Sequence, residues 1–342
     1  RTFFYGTYEG FRYPKETPIQ NTVPTEAMRN GNFGPELAGT GESIHDLNGN
    51  PYPNNVIPQS QLSPLSQKFL SLYPLPNFGD TSTVSVNNYR ANRDSSYHNE
   101  QYDTRIDQYS TSKQSAFARW TWKNIDYQSP NNLAVPSSSS IDQYRMLAAA
   151  HTYAITPTLL NEARFGFTLN NNGSTNSFDG KAFLNSLGFD GLLGGTPFFN
   201  GLSYLSITNF QDLDAGRLEA IGKSQTFQWA DNLTWTKGRH TIKTGMDIRR
   251  IRATSPLGFI SGDNYGGFSF NGIATGQPFG DFLLGIPYYT ELDDVQQDND
   301  GRSIHYNAYA QDSYRVNENL TLEFGLRFEF HPGYTDASGN IG

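Results

Sequence analysis

The sequence contains no cysteine. That removes thiol catalysis, cysteine-ligated metals and any disulfide framework, and it is compatible with an oxidising or exposed compartment. Charged residues are also scarce, at 17%, and the formal net charge is −8. Lys and Arg are scattered, so no concentrated basic surface offers itself to phosphates, and no nucleic-acid partner is expected. Hydrophobic residues make up only 36% and the mean hydropathy is −0.59, too little aliphatic material for an ordinary soluble core. Long apolar runs are missing. The longest, residues 146–150 and 282–286, fall far below the ~18 residues of a membrane-crossing helix. Strands remain open as a way across, since they need only ~9–11 residues and announce themselves by alternation.

Catalytic motifs are missing too. The histidines (His45, His98, His151, His240, His305 and His331) are scattered, with no HExxH or other metal-ligand spacing. There is no nucleophile elbow, Walker loop or dinucleotide fingerprint in context, and the Gly-rich residues 191–195 precede an aromatic turn instead of a helix. No cofactor is expected and no enzymatic activity is read.

What the chain does have is aromatics at 14%, with 20 Tyr and 24 Phe, and 33 Gly. That composition fits β-structure joined by long polar loops. From residue 97 onward, hairpins follow one another. Residues 102–109 and 115–127 flank a short polar turn, as do 143–155 and 159–170, 225–236 and 241–252, and 303–315 and 320–330. Residues 1–12 read as one more strand. The opposite connections are long: residues 13–97, 171–223 and 253–299. Short turns at one end and long loops at the other are the asymmetry of an outer-membrane barrel.

The alternation is clearest near the C-terminus. Leu320, Leu322, Phe324, Leu326, Phe328 and Phe330 fall on one face, with Thr321, Glu323, Gly325, Arg327 and Glu329 on the other. Ile242, Met246 and Ile248, then Ala163, Phe165, Phe167 and Leu169, repeat the pattern more weakly. A soluble antiparallel sheet, apolar face inward, would alternate in the same way. Three features favour the membrane: the loop lengths, charges of both signs on the polar faces, and Trp120, Trp122, Trp229, Trp235 and Tyr314 read as strand-end aromatics of an interfacial girdle. Glu323, Arg327 and Glu329 are then expected to face a wet lumen.

The long connections carry local signals. Ser63-Pro64 caps a helix expected over residues 65–73; shorter helices are expected over 178–188 and 280–285. Asp46, Asn48 and Asn50 place oxygen ligands as a calcium loop begins, but the glycine and glutamate that complete such a loop are absent, and turn chemistry accounts for the same residues. Asp293, Asp294, Asp298 and Asp300 form a second acidic loop, open to the same two readings. The loop aromatics Phe198, Phe199, Tyr265, Phe268, Tyr288 and Tyr289 are candidates for stacking on sugar rings or for covering a barrel mouth.

RVNENLTLEFGLRFE from Arg315, YAQDSY from Tyr309, HTIKTGMD from His240 and FGDFLLG from Phe279 resemble hairpin and loop segments of TonB-dependent outer-membrane receptors. FFYGTYEG from Phe3, VPT from Val23, RNGNF from Arg29, VIP from Val56 and LYP from Leu72 look like the Oar-like branch of that family. The resemblance implies a carboxypeptidase-regulatory-like domain, then a plug, then a barrel of ~22 strands. It also implies outer-membrane lipid, the TonB complex and an unidentified substrate as partners.

The resulting expectation is an all-β, antiparallel, up-and-down transmembrane β-barrel, partial with about nine or ten strands, located in the outer membrane. Residues 1–342 would be the barrel portion of a larger receptor or transporter, an internal piece without plug or N-terminal domains, with 13–97 as a long extracellular loop insertion. The alternative is a soluble or secreted β-rich carbohydrate-binding or adhesion module.

Overall fold

A period-two pattern becomes a two-faced sheet only if neighbouring strands hold register. In the computed structural model they do. The structure describes residues 1–342 except 83–85, 130–132, 134–137, 177–181, 183–184, 187, 189–202, 214–219, 256–265, 292–298 and 340–342. The strands, in chain order, are β1 (Thr2–Asn21), β2 (Tyr89–Tyr109), β3 (Gln114–Ser129), β4 (Ser138–Thr156), β5 (Leu159–Asn176), β6 (Tyr204–Ile207), β7 (Ala220–Lys237), β8 (His240–Ser255), β9 (Gly267–Phe270), β10 (Tyr289–Glu291), β11 (Asn299–Arg315), β12 (Thr321–Phe330) and β13 (Thr335–Asp336). The main sheet has ten strands in the order β1-β2-β3-β4-β5-β7-β8-β11-β12, with β13 paired to β11. All its pairings are antiparallel, and it is open, with β1 and β12 at its edges.

One register row decides what this sheet is for. Phe4, Ile106, Ala118, Ala149, Phe165, Trp229, Ile248, Tyr306 and Phe330 are successive cross-strand partners over nine strands. Every member is apolar or aromatic, and all share one face. No second layer covers that face among the described residues: on β12, Leu326 is 85% exposed and Phe328 63%. Leaving such side chains in water forfeits ~1.5–3 kcal/mol each. A soluble sandwich would have buried them, so the exposed face is a lipid-facing one, and the sheet is part of a transmembrane barrel.

The hydrophobic core lies elsewhere. It gathers Val23, Met28, Phe33, Ile44, Ile57, Phe69 and Leu70 from the β1–β2 connection, Leu133 from β3–β4, Leu205, Ile207 and Leu213 from β5–β7, and Phe270, Phe279, Phe282 and Leu283 from β8–β11. All four long connections contribute, and together they fold into a cap at the long-loop end. The cap contains a small sheet in the order β10-β9-β6 and the helices α1 (Glu26–Arg29), α2 (Gly34–Leu37), α3 (Pro64–Leu70) and α4 (Pro278–Leu284).

Local signals set the helix ends. Ser63 Oγ accepts from the Ser66 N–H at 3.4 Å, with Pro64 in the first turn. Gly285 ends α4 at φ 71°, the left-handed conformation glycine adopts without strain. The two helices are tied directly, because Ser66 Oγ donates to the Phe282 carbonyl at 2.5 Å and the Ser63 N–H to the Leu283 carbonyl at 2.8 Å.

The strands outrun their expected ends. β1 continues to Asn21 and β2 begins at Tyr89, so the connection between them spans 22–88. Residues 13–21 carry no apolar alternation, yet their backbones ladder with 89–97. Pro14 and Pro18 are tolerated because β1 is an edge strand. Strands of 16–21 residues exceed the ~9–11 that span a bilayer. This corrects the strand-end placement of the aromatics: Trp120, Trp122 and Trp229 are mid-strand residues, while Trp235 and Tyr314 stand near the short turns. The helix expected over 65–73 forms as Pro64–Leu70 and that over 280–285 as Pro278–Leu284; the 178–188 stretch lies largely outside the described residues.

Candidate functional site

The face opposite the apolar row is concave and polar. A hollow of about 690 Å³ runs from Phe117 on β3 to Arg327 on β12. Its floor is made of small side chains, Ala148, Ala150 and Ala230, and its walls carry Glu162, Arg164, Gln228, Asp247, Arg249, Asn307 and Tyr309. These residues sit at the alternate strand positions, out of phase with the apolar row. One register row reads Phe3, Asp107, Phe117, Ala150, Arg164, Ala230, Asp247, Asn307 and Glu329.

Much of the charge on this face is paired. Asp103, 6% exposed, accepts from Arg119 Nη2 at 2.8 Å, Gln101 Nε2 at 2.7 Å and Thr121 Oγ1 at 2.5 Å. Arg105 clamps Asp107 through two hydrogen bonds of 2.8 and 2.7 Å and lies over the Phe117 ring. Arg164 pairs with Glu162. Asp247 meets Arg249 Nε at 2.9 Å, the Gln228 amide, and Asn307 Nδ2 at 3.2 Å. Asn307 in turn bonds His331 Nε2 at 2.8 Å, and His331 stacks on His305 with ring centroids 4.4 Å apart. Two-residue spacing on one strand puts Arg105 beside Asp107, Arg164 beside Glu162 and Arg249 beside Asp247, whereas Arg119 reaches Asp103 across the β2–β3 pair.

Glu323, Arg327 and Glu329 belong to this face. Arg327 Nε donates to Glu329 Oε1 at 2.5 Å, and Ser313 Oγ donates to Glu323 Oε1 at 3.3 Å. Asp247 and Arg249 fall together on the polar face of the β8 pattern in the sequence, but sequence reading missed the network on β2, β3 and β7, although Asp103, Arg105 and Asp107 alternate in phase.

The loop aromatics separate. Phe268 is partly buried against the cap core, so its ring is packing material. Tyr288 and Tyr289 are 55% and 52% exposed, with ring centroids 6.5 Å apart. β9 and β10 bring Phe268 and Tyr289 onto adjacent strands. Phe198, Phe199 and Tyr265 lie outside the described residues.

Asp46 is engaged by its own turn. Its carboxylate accepts from the Asn48 N–H at 2.9 Å, the Asn50 N–H at 2.8 Å and Asn50 Nδ2 at 3.2 Å, which holds the group below the ordinary Asp range. No trio of His, Asp and Glu is placed to hold a metal among the described residues. Asp300 is committed to Arg252 and Arg302, while Asp293, Asp294 and Asp298 lie outside the described residues.

The cap is fastened by buried polar groups. The Arg29 guanidinium donates to the carbonyls of Pro24 at 3.2 Å, Leu70 at 3.4 Å and Pro74, and burial pushes its pKa down. Asp281, fully buried, accepts from the Thr275 N–H at 2.8 Å, Thr275 Oγ1 at 2.7 Å and the Ala274 N–H at 3.2 Å. Tyr73, raised well above the usual tyrosine range by burial, donates to the Gln211 carbonyl at 2.8 Å and ties the first connection to the third.

Among solved structures, the chain is similar to the outer membrane transporter YddB of Escherichia coli at 8% identity and TM-score 0.44, over 77% of this chain and 31% of that one. It is similar to P. aeruginosa FpvA, solved bound to heterologous pyoverdines, at 11% identity and TM-score 0.41, over 73% and 35%. The chain thus spans about a third of either protein. No curated protein matches. The model of the outer membrane beta barrel domain matches residues 1–342, the whole chain, and this protein belongs to that outer-membrane family.

Proposed function

We propose that this chain is the wall and folded mouth of an outer-membrane receptor that takes up a substrate, of the TonB-dependent, Oar-like type. The observation that carries the reading is a cap with its own core, built from all four long connections, beside a concave face lined with paired charges. The cap offers the exposed Tyr288 and Tyr289 to an arriving ligand. Glu323, Arg327 and Glu329 line the path below it, on a lumen wall where five arginines are matched by carboxylates. Paired charges bind water well and hold a solute only weakly, which suits passage. The role contains no chemical step, and energy would come from the TonB complex acting on regions outside this chain.

The test is genetic and uses the full-length protein. Deleting its gene and deleting the TonB complex are expected to abolish growth on the same nutrient, with the Arg29→Ala cap variant reproducing part of the loss. Deleting the gene in cells already lacking TonB should add no further defect; an additive defect overturns the reading.

A further inference from the structure

Arg105, Arg119, Arg164, Arg249 and Arg327 on the concave face pair with carboxylates, but the cations at one outward rim outnumber theirs. Beyond the apolar row of Trp229, Ile248 and Tyr306, the next outward row is Phe227, Arg250 and Ile304, then Gln225, Arg252 and Arg302, then Lys223, Thr254 and Asp300. Lys223, Arg250, Arg252 and Arg302 are all exposed. Among the described residues two carboxylates stand at the patch, Asp300 and Asp336, whose Oδ1 accepts from the Asp300 N–H at 2.8 Å. Asp300 takes Arg252 Nε at 2.6 Å and Arg302 Nη2 at 2.5 Å, and neither Lys223 nor Arg250 has an ion-pair partner among the described residues. Among the described residues, four cations against two carboxylates leave a positive surplus on a surface that begins one row, ~7 Å, from a continuous apolar band.

Arg250 is the decisive member. Its register partners on either side are Phe227 and Ile304, so its stem lies on hydrocarbon-facing surface and its guanidinium must reach toward the rim. A guanidinium at that depth needs an anion, and it matches phosphate through two parallel hydrogen bonds. Other outward arginines are already occupied: Arg12 pairs with Glu100 at 2.5 Å, and Arg145 stacks over Trp122 while donating to the Lys123 and Tyr144 carbonyls.

We propose that the outward rim of β7, β8 and β11 is a binding site for a phosphorylated lipid of the leaflet at the long-loop end. Lys223, Arg250, Arg252 and Arg302 hold the phosphates, while Trp229, Phe227, Ile248 and Ile304 contact the acyl chains. The shared recognition of cation by phosphate and of apolar row by chain commits the site to a lipid and not to a free anion.

The test is titration of the detergent-purified full-length protein with diphosphorylated lipid A, its dephosphorylated form and phosphatidylcholine, read as bound copies by native mass spectrometry. The phosphorylated lipid is expected to bind best. Arg250→Gln with Arg252→Gln should weaken it about 25-fold, at about fivefold per cation. Lys113→Gln with Lys123→Gln, which removes equal charge away from the patch, should leave it unchanged, and millimolar inorganic phosphate should not displace it. Equal binding of the phosphorylated and dephosphorylated lipids by the unaltered protein overturns the proposal without reference to any variant. So does an equal loss in both double variants, or displacement by inorganic phosphate.

Discussion

The Tyr309 ring lies across Gly245 on the neighbouring strand, and its hydroxyl donates to Asn232 Oδ1 at 2.9 Å on the strand beyond. A Cβ on Gly245 would meet Tyr309 Cε1 at 2.7 Å and the Asp231 carbonyl at 2.8 Å. The contact therefore clasps three strands and needs glycine at its centre. Gly245→Val should cost about 1–3 kcal/mol, as overpacking does, whereas Tyr309→Phe should cost about 1 kcal/mol for the lost hydrogen bond. Urea unfolding in detergent checks both. Equal stability of Gly245→Val and the unaltered protein would mean that the ring does not rest there.

Arg29 holds the cap against strain of a different kind. Replacing it by Met keeps the apolar stem and strips three carbonyls of their donor. Each orphaned buried acceptor costs about 1–3 kcal/mol. The variant should be cleaved within 22–88 by protease at concentrations that leave the unaltered cap intact, while the strands stay protected. Uniform cleavage of cap and strands, or none, would contradict the separation of the two cores.

Most of the strand order was legible in the sequence because tight turns and alternation are local. The Gly238-Arg239 turn and the Leu320–Phe330 alternation needed nothing distant. The cap was not legible. Its core takes Leu133 from one connection and three residues, Leu205, Ile207 and Leu213, from another, so no segment shows a face of its own. Phe268 left two readings open in the sequence, stacking on a sugar ring or covering the barrel mouth, because a ring in a polar loop looks available until the segment that covers it is known. Strand length was also hidden, since backbone pairing at residues 13–21 requires no pattern in the side chains.

Asp46 gives a pH dependence whose sign follows from its turn. The N–H donors of Asn50 and Asn48 stabilise the carboxylate, so its folded pKa is below the unfolded ~3.9. A depressed pKa contributes stability that is complete above the unfolded value and is lost as pH falls through the folded one. Hydrogen-exchange protection of the Asn48 and Asn50 amides, corrected for intrinsic rates, should hold from pH 7 to about 5 and fall only in stronger acid. Excess calcium should leave it unchanged at neutral pH, because the carboxylate is already engaged. A calcium-dependent gain would revive the metal reading.

Phe165 and Gln228 lie on neighbouring strands and opposite faces. Phe165→Arg places a charge in the apolar row and should cost ~2–4 kcal/mol if that row meets the bilayer midplane. Gln228→Arg, beside Asp247 on the wet side, should cost under ~1 kcal/mol. Equilibrium unfolding in lipid compares them, and equal costs would dissolve the distinction between the faces.

The assignment of the two faces can be read directly, because a chain without cysteine makes any introduced thiol unique. Spin labels placed singly at 162–168 on β5, in the protein reconstituted in bilayers, should alternate with period two. Positions 163, 165 and 167 should collide with membrane-dissolved oxygen, and 162, 164, 166 and 168 with a water-soluble nickel reagent. Nickel accessibility at every position, or an alternation in the opposite phase, would contradict the lipid-facing row on which the account rests.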